Sequence, residues 1–241
     1  AVIGRIGDRM DAVATINEPW CVAWLSHFLG GHAPGLRDIR AAARAMHHVL
    51  VAHARSLEVM RSAGQKNLGI VLNFEHSTPA SEAEADVLAA KTYDGIYNRW
   101  FAGALTHGAY PADVLEVLEP HMPEGWQNDM AAISAPIDWL GVNYYTRSIH
   151  EEVPGAIWPS ERAVPGDLEK TAMGWEIYSE GLYGFLMRLG QEFTGDLPIY
   201  VTENGMAGAD PGDAGLVDDP TPEGIVLKIQ SPDILHKTEA G

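Results

Sequence analysis

Four short apolar runs, separated by helical stretches, limit what this chain can fold into. They are Ala12 to Ile16, Asn67 to Phe74, Trp139 to Tyr145 and Ile199 to Thr202. The second is apolar almost throughout, as a strand covered on both faces should be. Asp38 to about Ala63 is an alanine-rich helical stretch, with Asp38 as N-cap and Gly64 as stop. Glu82 to Thr106 is helical, with Tyr93, Ile96, Tyr97, Trp100 and Phe101 on one aromatic face, which reads as core. Ala112 to Glu119 and Ser179 to Phe193 are further helices, the last with Leu182, Phe185, Leu186 and Leu189 as its apolar stripe. Ala1 to Met10 reads as the end of an amphipathic helix, and Pro154 to Gly174 as a Pro- and Gly-rich loop. Strand, helix, strand, helix is the pattern of parallel βαβ units.

In such units the working side chains gather at the carboxyl ends of the strands. The polar residues fall there: Asn17 and Glu18 after the first run, Asn73 and Glu75 after the second, Asn143 and Tyr145 after the third, Glu203 and Asn204 after the fourth. Four placements in register point to an α/β barrel with its site on one rim. Pro19 ends the first strand, because it has no N–H for the ladder. Taken alone, Glu18 and Glu203 read most simply as solvated strand-end carboxylates. Brought face to face, they are the minimum equipment for cleaving a glycosidic bond. Glu75-His76 reads as a surface loop, and His47, His48 and His53 as ordinary helix residues, since no two have the i, i+4 spacing of a helical zinc site. The glycine-rich Gly205 to Gly215 lacks the Gly-Lys-Ser/Thr ending of a phosphate loop, so neither cofactor nor metal is expected.

Composition narrows the partners. With 16 Lys+Arg against 33 Asp+Glu the net charge is -17, which disfavours nucleic acid and anionic membrane surfaces. No apolar run approaches a membrane span. Cys21 stands alone, so no disulfide forms within the chain, and a reducing, cytoplasmic setting is the expectation. The chain opens at Ala1 already in a helical pattern, which suggests further sequence upstream.

Five segments together resemble glycoside hydrolase family 1, the β-glucosidase family. They are Thr15-Ile16-Asn17-Glu18-Pro19-Trp20-Cys21, Gly31-His32-Ala33-Pro34-Gly35, Gly141-Val142-Asn143-Tyr144-Tyr145, Met173-Gly174-Trp175-Glu176-Ile177-Tyr178 and Tyr200-Val201-Thr202-Glu203-Asn204-Gly205. The resemblance implies a (β/α)8 TIM barrel, present here in part, as about four central βα units of eight. It implies a retaining hydrolase, with Glu18 as general acid/base and Glu203 as nucleophile, their carboxyl groups about 5–5.5 Å apart. By the same resemblance Asn17 hydrogen-bonds the sugar 2-OH, and Tyr145 holds the nucleophile. Asn143 is a polar neighbour in that site, and Trp175 a platform at its entrance. Trp20, Leu25 and His32 line the aglycone side. The implied substrate is a small β-glycoside or oligosaccharide.

The resemblance covers roughly residues 1–222, as one partial-barrel domain. Residues 223–241 depart from it and resemble a short stretch of the ATP-grasp domain in ADP-forming acyl-CoA synthetases, where Lys228 would face nucleotide. A junction near Pro222 is the expected reading. The family's remaining strands, which carry further sugar ligands, have no match here. An open four-stranded parallel sheet would expose its edges, so pairing with a second copy or with a missing barrel half is expected, or else an inactive product.

Overall fold

The computed structural model describes residues 2–207. Four strands lie parallel: β1 (Val13–Asn17), β2 (Leu68–Pro79), β3 (Trp139–Glu152) and, last in the chain, β5 (Ile199–Glu203). β2 pairs with β1 and β3, and β3 with β5, so the parallel order is β1-β2-β3-β5. The fifth strand, β4 (Glu161–Val164), runs antiparallel to the end of β3, pairing Ile149 with Val164 and Glu152 with Glu161. The expected loop from Pro154 to Gly174 therefore contains a strand. β2 and β3 also run past their apolar stretches, so Glu75 and His76 lie on a strand rather than in a surface loop. Their backbone groups find partners on each other: Phe74 pairs with Tyr144, and Ser77 with Ser148.

Helices follow the strands. The chain opens with a single α-turn, α1 (Ile3–Ile6), and a 3-10 turn over Gly7–Arg9, less than the helix expected there. After β1 comes α2 (Ile39–Ser62), whose N-cap Asp38 accepts a hydrogen bond from the Ala41 N–H at 2.8 Å. Its buried side is Ala42, Ala43, Met46, His47, Leu50, His53, Ala54 and Leu57, the three- and four-residue spacing of one helical face. Gly64 follows with φ +82°, a conformation that suits glycine at a helix end. After β2, α3 (Glu84–Asp94) passes through a π-helical turn at Gly95–Arg99 into α4 (Trp100–His107). Two short helices follow, α5 (Ala112–Leu118) and α6 (Met130–Ile133). After β3, α7 (Ser179–Leu189) runs into a second π-turn, Gly190–Thr194.

The core lies between the sheet and these helices. Ile70, Leu72 and Phe74 of β2 and Leu140, Val142 and Tyr144 of β3 share one cluster with Met46, Leu50, Trp100, Phe185 and Leu189. Phe74 and Phe185 meet at 4.8 Å between ring centroids, and Trp100 stacks on Tyr110 at 3.9 Å. Each such pair adds about 0.5–1.5 kcal/mol to the area it buries. Gly69 is bare because the Trp139 side chain crosses it: a Cβ there would stand 2.4 Å from Trp139 Cδ2. The Trp139 Nε1–H then reaches the Asn67 carbonyl at 3.0 Å, tying β3 to the start of β2.

Candidate active site

All three parallel pairings shift register, between Ala14 and Asn17, between Phe74 and His76, and between Val142 and Asn143. Such bulges re-aim side chains. The first leads directly to Glu18, whose N–H donates to the Val71 carbonyl at 3.0 Å while its own φ is +50°. Positive φ is uncommon outside glycine and costs about 1–2 kcal/mol. Strain of this kind collects where a side chain must be aimed. Pro19 follows, and the chain enters a π-helical turn, Cys21–Leu25.

Asn143 is fully buried at the centre of the rim. Its Nδ2 donates to Glu18 Oε1 at 2.8 Å and to Asn17 Oδ1 at 3.2 Å. Its Oδ1 accepts from the Thr202 hydroxyl at 2.7 Å. Because Asn17 presents its carbonyl oxygen to Asn143, its own Nδ2 is left as a donor. On the other side, Tyr145 OH donates to Glu203 Oε2 at 2.5 Å. Burial, and after it the hydrogen bond to Glu203, pushes the Tyr145 phenol up to about 12, so it remains a donor at neutral pH. In the ladder Asn143 is the Cα partner of Glu203. Glu18 and Glu203 thus flank the same residue, one through its side chain and one through its backbone register.

Cys21 Sγ donates to Glu18 Oε2 at 3.4 Å. Burial first, then the charges of Glu18, Glu75 and Glu203, push the thiol up to about 12, so it is a donor and not a nucleophile. Asn73 Nδ2 reaches both Cys21 Sγ, at 3.7 Å, and Tyr97 OH, at 2.7 Å. Glu75 accepts from Tyr93 OH at 2.7 Å, and burial raises its carboxyl pKa above the usual range. Cys21 follows Glu18 by three residues, one turn of the helical segment that Pro19 opens, and that spacing was the available signal for it. Thr202 belongs to the Tyr200-to-Gly205 segment that carries the family resemblance, but its contact with Asn143 depends on the bulge between them, which no local pattern encodes.

The remaining expected residues are distributed around this centre. Trp175 is 39% exposed, and its ring lies 5.7 Å from that of Tyr145. Its loop is anchored by Glu176, which is buried and accepts from Arg147 Nε at 2.6 Å and from the Leu168 N–H at 2.8 Å. Leu25 is half-buried against the core, with Gly31 packed beside it, and His32 is exposed. Trp20 lies in the core, 4.3 Å from Tyr97 between ring centroids. His47 and His53 lie on α2, as expected, and on its buried face: His47 bonds Tyr110 and Asp129, and His53 Nδ1 meets Thr15 Oγ1 at 2.6 Å. Among the described residues no group of three His, Cys, Asp or Glu side chains is placed to hold a metal ion, and no helix is long and apolar enough to cross a membrane.

Parallel strands backed by helices, with two carboxylates, two amides and a tyrosine at one rim, define part of an α/β barrel. The chain belongs to glycosyl hydrolase family 1, whose profile matches residues 1–222. It is 43% identical over 209 residues to a β-glucosidase of Agrobacterium sp., an alignment that takes in 85% of this chain and 45% of that protein. With β-glucosidase A of Thermotoga maritima it is 42% identical over 206 residues, covering 84% of this chain and 46% of the relative. Its fold superposes on the Thermotoga maritima β-glucosidase solved with deoxynojirimycin with a TM-score of 0.79, at 41% identity over 87% of this chain and 47% of that one. A β-glucosidase from Exiguobacterium marinum gives the same TM-score at 36% identity, covering 87% of this chain and 48% of that structure. The chain therefore spans about half the length of the relatives it matches.

Proposed function

We propose that this chain carries the catalytic half of a retaining β-glycosidase of β-glucosidase type, acting on small β-glycosides or oligosaccharides. The observation that carries the reading is that Glu18 and Glu203 stand on either side of Asn143, with Tyr145 donating to Glu203. In the first displacement a Glu203 oxygen attacks the anomeric carbon while Glu18 gives its proton to the departing oxygen, leaving a glycosyl ester on Glu203. In the second, Glu18 takes a proton from water, whose oxygen attacks the same carbon and releases Glu203. Asn17 offers its Nδ2 to the sugar 2-OH, Trp175 packs against the sugar or its leaving group, and Leu25 and His32 shape the aglycone side, whereas Trp20, expected there, is buried in the core. Tyr145 holds Glu203 in position through its hydrogen bond to Oε2.

The span of about half the relatives' length supports a second reading, in which the 241-residue chain alone binds sugar weakly and turns over little. Pairing through the edges of β1 and β5, with a second copy or a complementary barrel half, is the proposed route to activity, and a cytoplasmic setting suits the lone Cys21. We further divide the chain into a barrel portion, 1–222, and a tail, 223–241, with the ATP-grasp-like stretch around Lys228 in the tail. That stretch lies outside the described residues.

Hydrolysis of an aryl β-glucoside by the purified chain tests these readings together. The expected rate is near background. Clear turnover would overturn the second reading, and Glu203→Ala should then abolish it, with azide restoring product of inverted configuration. Turnover that survives Glu203→Ala would remove Glu203 as nucleophile.

A further inference from the structure

We propose that Thr202 is a positioning residue, whose hydroxyl sets the orientation of both the acid/base Glu18 and the sugar-binding Asn17 through the single buried amide of Asn143. The inference rests on the catalytic reading of Glu18 given above, and its geometry stands independently of it.

The argument begins with the ladder. Val142 pairs with Val201 and Asn143 with Glu203, so Thr202 is the one residue of β5 without an opposite number. An unmatched residue at a bulge is free to turn its side chain along the sheet. Here the Thr202 hydroxyl meets Asn143 Oδ1 at 2.7 Å. The Asn143 side chain has two chemically distinct ends, and its surroundings decide which way round it sits. The end at Glu18 Oε1, 2.8 Å away, is the NH2, because that oxygen accepts while the proton Glu18 transfers sits on Oε2. The same NH2 reaches Asn17 Oδ1 at 3.2 Å. The Asn143 oxygen is then committed to the far side, buried, and dependent on a donor. Thr202 supplies that donor from the residue immediately before Glu203. The chain of contacts runs from the strand of one carboxylate to the other carboxylate without passing through substrate.

Without the hydroxyl, the Asn143 oxygen has lost that donor, and the amide no longer has two opposed anchors. Glu18 and Asn17 then lose the fixed donor that holds them both. A role limited to packing would be met by any side chain of threonine's shape.

Valine keeps that shape and removes the hydroxyl, whereas serine keeps the hydroxyl and removes the methyl group. The test follows the Asn143 side-chain NH2 protons by NMR in the 15N-labelled 241-residue chain, assigned by their loss in Asn143→Ala. In the unaltered chain they are expected to exchange slowly with solvent. In Thr202→Val, exchange should quicken roughly tenfold, the loss of one hydrogen bond to a buried group, and Thr202→Ser should restore it. Backbone amide protection along β3 and β5 reports whether the sheet itself is kept. If valine disturbs it, the serine variant decides, with slow exchange supporting the proposal and fast exchange overturning it. Exchange in Thr202→Val within about twofold of the unaltered chain would also overturn it, as would an unaltered chain whose Asn143 NH2 is unprotected. Survival of turnover in Glu203→Ala would sink the catalytic reading and leave this hydrogen-bond chain standing, so the two fail separately.

Discussion

Tyr145 donates a 2.5 Å hydrogen bond to Glu203, from a strand adjacent to the one that bears the carboxylate. That contact holds one oxygen of the proposed nucleophile in place and leaves the other for the anomeric carbon. A hydrogen bond to a charged group contributes about 1.5–3 kcal/mol. Tyr145→Phe in a barrel completed to the length of its relatives should therefore lower kcat roughly 10–100-fold on an aryl β-glucoside. An unchanged kcat would mean that Tyr145 only packs against Trp175.

A second prediction concerns acid. His53 is fully buried, and burial, with a smaller push from the Arg61 charge, lowers its pKa from 6.5 to about 4. The unfolded chain takes up this proton first as pH falls through 6.5, so stability is intact above that value and is lost toward 4. By pH 5 the loss from this one group is about 2 kcal/mol. Urea unfolding at pH 7 and pH 5 measures it, and His53→Gln should flatten the difference. An equally steep loss in the variant would assign the effect to other groups.

The loop that carries Trp175 supplies a third. Glu176 is clamped by Arg147 Nε and the Leu168 N–H, and the Thr146 hydroxyl donates to its backbone carbonyl at 2.9 Å. Glu176→Ala leaves the Arg147 guanidinium, whose side chain is 14% exposed, without this partner. Limited proteolysis between Pro165 and Tyr178 should speed up roughly tenfold, with a smaller change in global stability. Unchanged cleavage would show that the backbone contacts alone hold the loop.

Much of this was legible in the sequence because the fold's signals are periodic and local. The four apolar runs became the four parallel strands, and Asp38 caps its helix with its own side chain. Glu18 and Glu203 were placed correctly at strand ends, since each stands where an apolar run meets a breaker. β4 stayed hidden because it has only four residues, two of them exposed, so it shows no alternation. The extensions of β2 and β3 were masked by polar residues such as His76, which pairs with Arg147 because its neighbours pair, and Glu75, whose backbone bonds to the Asn98 side chain at the register shift. The network of Cys21, Asn73, Glu75 and Thr202 depends on register shifts between strands distant in sequence, and no local pattern encodes a register shift. His47 and His53 sat in a helix of ordinary appearance, and only the packing of that helix against β1 and its neighbours showed them to be buried.

The order β1-β2-β3-β5 has a consequence for how such a site could be switched on. Among the described residues, Glu203 ends β5 and Glu18 directly follows β1, the two outermost parallel strands, each with one flank unoccupied. Under the proposed function, a polypeptide lying along those flanks would grip the two strands that carry the proposed acid/base and nucleophile, before it touches any sugar. Closing the ring and setting the distance between the carboxylates would then be a single mechanical act, and the proposed site would double as a gauge of whether the barrel is whole.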